Sequence, residues 1–128
     1  MIVGTGIDLV EVARVRRMLE RHGERALRRF FTAREIEFCR RVADPAQCYA
    51  ARLAAKEAAL KALATGRAKG VRWCDIEVLR DEPGSPTLTF HGEARQRAGR
   101  LGAVRNWLSL SHERAHACAF VVLEADGR

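Results

Sequence analysis

Between Ala46 and Ala64 the chain carries nine alanines and neither glycine nor proline, a composition that commits the stretch to an α-helix. At 3.6 residues per turn, Tyr49, Leu53, Leu60 and Leu63 fall on one stripe. Lys56 projects into that stripe, Glu57 sits at its edge, and alanines line the opposite side. The charges therefore have no solvent face of their own, and buried charges need partners. Arg52, Lys56 and Lys61 set three cations beside one carboxylate, an arrangement suited to a metal and a phosphorylated ligand.

With 128 residues, 48% of them hydrophobic, the chain reads as one domain over 1–128 with a real core. No apolar run approaches the roughly 18 residues of a membrane helix. Asp8 and Glu11 stand where a signal peptide needs a basic start and an apolar stretch, so a cytoplasmic protein is expected. Cys39, Cys48, Cys74 and Cys118 are widely spaced without a CxxC, which predicts reduced packing thiols rather than disulfides or a zinc site. Charge is uneven: between Arg14 and Arg41, ten arginines stand against four glutamates, with no lysine or aspartate. Such a block suits an acidic partner, whether nucleic acid, an anionic membrane surface or an acidic protein; a merely solvated arginine-rich surface is the plainer alternative.

Along the chain, Met1 to Ile7 reads as a strand ending at Asp8. Leu9 to about His22 reads as a helix, with Leu9, Val12, Val15, Met18 and Leu19 inward, Arg14, Arg17 and Arg21 outward, and Gly23 as its end. Thr32-Ala33-Arg34-Glu35 is a capping box opening a helix to about Val42. Asp44-Pro45 caps the alanine-rich helix, and Gly66 terminates it. Beyond Trp73 four strands are expected, around Ile76–Val78, Thr87–Phe90, Trp107–Leu110 and Ala115–Leu123. The turn signal Asp81 to Pro86 separates the first two, and a helix from Glu93 to Leu101 lies between the second and third. The fold class is α+β, N-terminal helices with the long alanine-rich helix packed on an antiparallel sheet.

Three motifs bear on chemistry. Asp8, in GIDLVEVARV, ends a strand and alone reads as a helix cap. Glu57 and Lys61 are spaced i,i+4 with the acid first, which alone reads as a helical salt bridge; the crowded position of Lys56 speaks against so plain a reading. His112-Glu113-Arg114-Ala115-His116 matches HExxH, the zinc-protease signature, which requires both histidines on one helix face. Its flanks, LSLS and ACAFVV, are strand-like, so these five residues are expected to form a hairpin turn instead.

Taken in order, GIDLVEVARV, FTAREIEF, ARLAAKEAALKALATG, the Gly84-Ser85-Pro86 turn and WLSLSHERAHACAFVV resemble the holo-acyl-carrier-protein synthases, the small single-domain 4′-phosphopantetheinyl transferases. Leu53 replaces a phenylalanine usual there, Ala64 stands where glycine is frequent, and Ser85 replaces a lysine common between Gly84 and Pro86, weakening one contact to coenzyme A. The resemblance implies transfer of 4′-phosphopantetheine from coenzyme A to a serine of an acyl carrier protein, releasing adenosine 3′,5′-bisphosphate. It implies Mg²⁺ held by Asp8 and Glu57 against the coenzyme A pyrophosphate, a hard dication suited to two carboxylates and phosphate oxygens. Lys61 is the expected point charge on the pyrophosphate, Arg52 and Lys56 reach other phosphates, and Gly84, Pro86 and His112 contact coenzyme A, His112 at its nucleotide end. Glu57, or a metal-held water relaying to it, deprotonates the acceptor serine. Acyl carrier proteins are acidic, so Arg14, Arg17 and Arg21 are expected to dock one, with Met18 as an adaptable apolar contact. The family's homotrimers, with active sites between subunits, make a homotrimer the expected state, without nucleic-acid or membrane partners. A nucleic-acid-binding module using the Arg14–Arg41 block is the rival reading; it explains the charge but not Asp8 or Glu57, and no recognition motif supports it.

Overall fold

The computed structural model describes residues 1–64, 70–80 and 84–127. In chain order the elements are β1 (Ile2–Glu11), α1 (Val12–Phe30), α2 (Ala33–Arg40), α3 (Pro45–Ala62), a short 3₁₀ turn (Trp73–Asp75), β2 (Ile76–Arg80), β3 (Pro86–Phe90), α4 (Gly92–Arg100), β4 (Arg105–His112) and β5 (His116–Glu124). The strands form two antiparallel sheets where a single one was expected: a three-stranded sheet in the order β1-β5-β4 and the separate hairpin β2-β3.

α3 lies at the centre, against β1, β5 and β4 on one side and against α1, α2 and β2 on the others. Its stripe residues Tyr49, Leu53, Leu60 and Leu63 are buried, and so are the alanines of its opposite side. A helix hydrophobic all round is a core helix, which is why its charges had no solvent face to occupy. Alanine permits close approach. A Cβ on Gly6 of β1 would overlap the Ala58 carbonyl oxygen, and one on Gly4 would overlap that of Ala62, so both positions must lack a side chain for β1 to lie on α3.

Several local expectations need correction. β1 continues past Ile7 to Glu11 because β5 pairs with it throughout, so Leu9 is a strand residue, exposed on the outer sheet face rather than inward on a helix. Val12 and Val15 are buried as expected. The first helix does not stop at Gly23: that residue takes φ 53°, ψ −132°, and helix resumes to Phe30. Gly66 and Asp81–Pro83 lie outside the described residues. α3 ends at Ala62, and Ala64 takes the left-handed φ of 56°, a conformation that glycine adopts freely and alanine at a cost. The capping box is present, with Thr32 Oγ1 accepting from Glu35 N and Thr32 N donating to Glu35 Oε1 at 2.8 Å; Asp44 caps α3 by accepting from Gln47 N. The cysteine expectation fails for one pair. Cys39 and Cys48 form a disulfide, with Cα atoms 5.6 Å apart, while Cys74 and Cys118 are free. The turn at Asp44-Pro45 folds the end of α2 back on the start of α3, which brings together two cysteines that spacing alone left apart.

Candidate active site

Asp8 stands on the inner, α3-facing side of the sheet, in register with Ala119 of β5, which pairs in turn with Leu110 of β4. The glycine contacts hold β1 against α3 here, and Lys61 Nζ donates to Asp8 Oδ1 at 3.1 Å and to the Ile7 carbonyl at 2.9 Å. Glu57 lies one turn before Lys61, hence on the same helix face. Asp8 and Lys61, 53 residues apart in sequence, therefore meet at the contact between β1 and α3, with Glu57 one helical turn away on α3.

Arg52 lies elsewhere. It is nine residues before Lys61, which places it half a turn round α3 and about 13 Å along its axis. Its guanidinium sits 4.4 Å from the centroid of the Phe38 ring and donates to Cys48 Sγ at 3.2 Å. Among the described residues, Arg52 Nε is the buried side-chain polar atom without a hydrogen-bond partner. Burial lowers the guanidinium's pKa from its ordinary value, with the nearby Glu35 carboxylate partly opposing. This side chain lines a cavity of about 320 Å³ together with Asp44, Arg80, Pro86 and His112, where basic side chains outnumber the one carboxylate. Gly84 lies on the exposed approach to β3, two residues before Pro86. α3 thus separates two half-sites, carboxylates and Lys61 on one face, a basic cavity on the other.

Lys56 does not reach a ligand in either half. It is fully buried, paired with the equally buried Glu35 at 2.8 Å, and donates to the carbonyls of Trp73 at 3.1 Å and of Ile76. The expectation that it reaches phosphate is withdrawn on that geometry. HExxH is a hairpin: His112 ends β4, His116 opens β5, and His116 Nδ1 lies 3.0 Å from Glu113 Oε1. The two histidines face no common metal.

Among the described residues, no three or more His, Cys, Asp or Glu side chains gather as a self-sufficient metal site. Two carboxylates on one contact are all-oxygen donors, which fit Mg²⁺ completed by phosphate oxygens and do not fit zinc. On the surface, Arg14, Arg17 and Arg21 are exposed on α1, and Arg17 lies 3.4 Å from Glu11. Met18 lines a groove with His22, Arg25, Ala26, Arg29 and Phe30. Arg25 and Arg29 belong to the arginine block, and because the helix continues past Gly23 they line the same groove as Met18. Arg80 was overlooked because only the hairpin brings it to the cavity.

The chain is similar to known proteins over nearly its whole length. The family model described as the 4′-phosphopantetheinyl transferase superfamily matches residues 4–121. A holo-[acyl-carrier-protein] synthase of Alkalilimnicola ehrlichii is 55% identical, covering 98% of each chain. Among solved structures, the holo-[acyl-carrier-protein] synthase of Neisseria meningitidis superposes with a TM-score of 0.88 at 32% identity, covering 97% of this chain and 99% of that one. The synthase from Bacillus anthracis, in complex with coenzyme A (3′,5′-ADP), gives 0.81 at 35% identity, covering 98% and 99%.

Proposed function

The chain belongs to the 4′-phosphopantetheinyl transferase superfamily, and on that premise we propose that it transfers 4′-phosphopantetheine from coenzyme A to a serine hydroxyl of an acidic acyl carrier protein. The observation that carries this reading is the pairing of half-sites by α3: Asp8, Glu57 and Lys61 along one face, and the Arg52–Arg80–His112 cavity along the other. The cavity suits the phosphorylated nucleotide end of coenzyme A, where phosphate oxygens would meet the basic side chains of Arg52, Arg80 and His112.

In the transfer, the serine oxygen attacks the phosphorus that bears the pantetheine. The P–O–P bridge breaks, and adenosine 3′,5′-bisphosphate leaves. Such a reaction is catalysed chiefly by positioning and charge. Asp8 and Glu57 would hold Mg²⁺, which when bound neutralises charge on the pyrophosphate oxygens. Lys61, aimed by Asp8 and the Ile7 carbonyl, directs its ammonium at the departing phosphate. A Glu57 carboxylate oxygen takes the serine proton, directly or through one water.

Because α3 stands between the half-sites, a coenzyme A spanning both is best served by two protomers, one giving the carboxylates and another the cavity. The outer sheet face supports a second copy. Ile7 and Leu9 of β1, Phe120 of β5 and Trp107 of β4 are exposed there, Ile7 and Leu9 at 64% and 65%, and such a patch asks to be covered. That patch supports association with another copy; the homotrimer is what the family resemblance implies, and the exposed Arg14, Arg17 and Arg21 beside Met18 on α1 suit an acidic carrier. No helix among the described residues is long and apolar enough to cross a membrane.

Intact-mass spectrometry tests the reaction. Purified protein with Mg²⁺ and coenzyme A should add the mass of one phosphopantetheinyl group to an apo carrier. No shift across a panel of carriers, fatty-acid and specialised, overturns the proposal.

A further inference from the structure

We propose that the buried Glu35–Lys56 pair is a positioning device that sets the rotation of α3, and with it the aim of Glu57 at the reacting phosphate; the inference rests on the function proposed above. Both side chains are fully buried. The Lys56 ammonium has three N–H groups and three acceptors: Glu35 Oε1 at 2.8 Å, the Trp73 carbonyl at 3.1 Å and the Ile76 carbonyl. The Glu35 carboxylate is likewise occupied, Oε1 also accepting from Thr32 N and Oε2 from Val78 N, each at 2.8 Å. One ion pair thereby ties together the start of α2, the middle of α3, the 3₁₀ turn and β2.

Attraction between the two charges is not by itself a reason to keep such a pair, although it also satisfies the backbone groups of Thr32, Val78, Trp73 and Ile76. Replacing a buried ion pair by apolar side chains of similar volume is often neutral or stabilising, because the apolar pair avoids desolvating two charges. What apolar packing does not supply is direction. β1 contacts α3 through Gly4 and Gly6 against Ala62 and Ala58, a contact without side chains that sets distance and leaves the helix some freedom to turn about its axis beyond what the bonds of Lys61 to Asp8 and the Ile7 carbonyl restrain. The three bonds of Lys56 arrive from the other side and remove that freedom. Glu57 is the next residue, 100° further round. With its carboxylate about 6 Å from the axis, a 10° turn displaces it by about 1 Å, and a misplacement of that size costs about a hundredfold in rate. Hairpin β2-β3, held by the same pair at Ile76 and Val78, carries Arg80 and Pro86 of the basic cavity. One pair thus aligns both half-sites to α3.

The experiment compares the parent with the double variant Glu35→Leu/Lys56→Met. The parent is assayed first; if it modifies no carrier, the functional reading itself falls, whatever the variants do. The double variant should still unfold cooperatively, at a Tm lowered by the backbone groups that lose their partners, yet show kcat lowered about a hundredfold and calorimetric Mg²⁺ binding in the presence of coenzyme A weakened about tenfold. KM for the carrier, which docks on α1, should stay within twofold. A folded double variant with kcat and Mg²⁺ affinity within twofold of the parent overturns the proposal, since a merely structural pair would behave so. If that variant does not fold, Glu35→Asp decides. It keeps the charge paired but withdraws the carboxylate by one methylene, and should lower kcat and Mg²⁺ affinity about tenfold with the fold intact; parent values in folded Glu35→Asp overturn the proposal equally.

Discussion

Two lysines on α3, five residues apart, live in opposite worlds. Lys56 faces α2 and β2, is fully buried and has every donor occupied by the protein itself. Lys61 faces β1, keeps 54% of its side chain exposed and leans on Asp8. Helix and residue type are shared, so the contrast comes from what packs on each side. A sheet edge carrying glycines leaves an open seam for a ligand; a capping box and a strand start supply carboxylate and carbonyl groups that close around the ammonium. Charge placed on a core helix therefore has two uses, and the neighbour decides which.

The sharpest way to break this contrast is to neutralise each lysine. Lys56→Met alone leaves Glu35 buried without its cation and should destabilise the fold by about 3–5 kcal/mol, seen as a large drop in Tm. Lys61→Met removes a half-exposed pair and should cost under about 1 kcal/mol, while turnover falls about a hundredfold. Equal losses of Tm in the two variants would erase the distinction. Next in size, Asp8→Asn and Glu57→Gln should each lower turnover about a hundredfold with near-parent far-ultraviolet circular dichroism and Tm. Full activity in either would remove that residue from the proposed metal-holding pair.

A smaller effect belongs to the surface. Arg14→Glu should raise KM for the carrier about tenfold, leave KM for coenzyme A unchanged and blunt the salt dependence of carrier modification. An equal rise in both constants would move docking away from α1. Smallest is the end of α3 beyond Lys61. Ala64→Gly relieves the left-handed φ of 56° and should stabilise the fold by about 1 kcal/mol, measured by denaturant unfolding; a loss of stability would mean that the strain at this terminus is not relieved by glycine.

Much of the fold was legible because its signals are local. The alanine run, the Thr32–Glu35 box, the Asp44-Pro45 start and the alternation of the late strands each act within a few residues and each recur as expected. Gly23 misled because a glycine marks a helix end and a helix interruption with the same residue, and only the packing of Leu27 and Phe30 against the core favours resumption. Of the candidate site, the ordered motifs pointed to Asp8 and Lys61, which meet in the fold, and to Glu57 one turn away. The site was not legible in Arg80 or in the partner of Lys56. Glu35 could be read as a capping residue, and nothing within hydrogen-bonding range along the chain announces that its second task lies 21 positions away.

By itself the amino-acid order determined that α3 would be a helix, that it would be buried on more than one side, and that its charges would need partners, because alanine content, periodicity and desolvation cost are properties of the segment alone. Only the tertiary structure decided which partner each charge received. Pairing Lys56 with Glu35, Lys61 with Asp8 and Cys39 with Cys48 depends on distances between segments remote in sequence, and those distances exist only once β1 has settled on its glycines and α2 has folded back over α3.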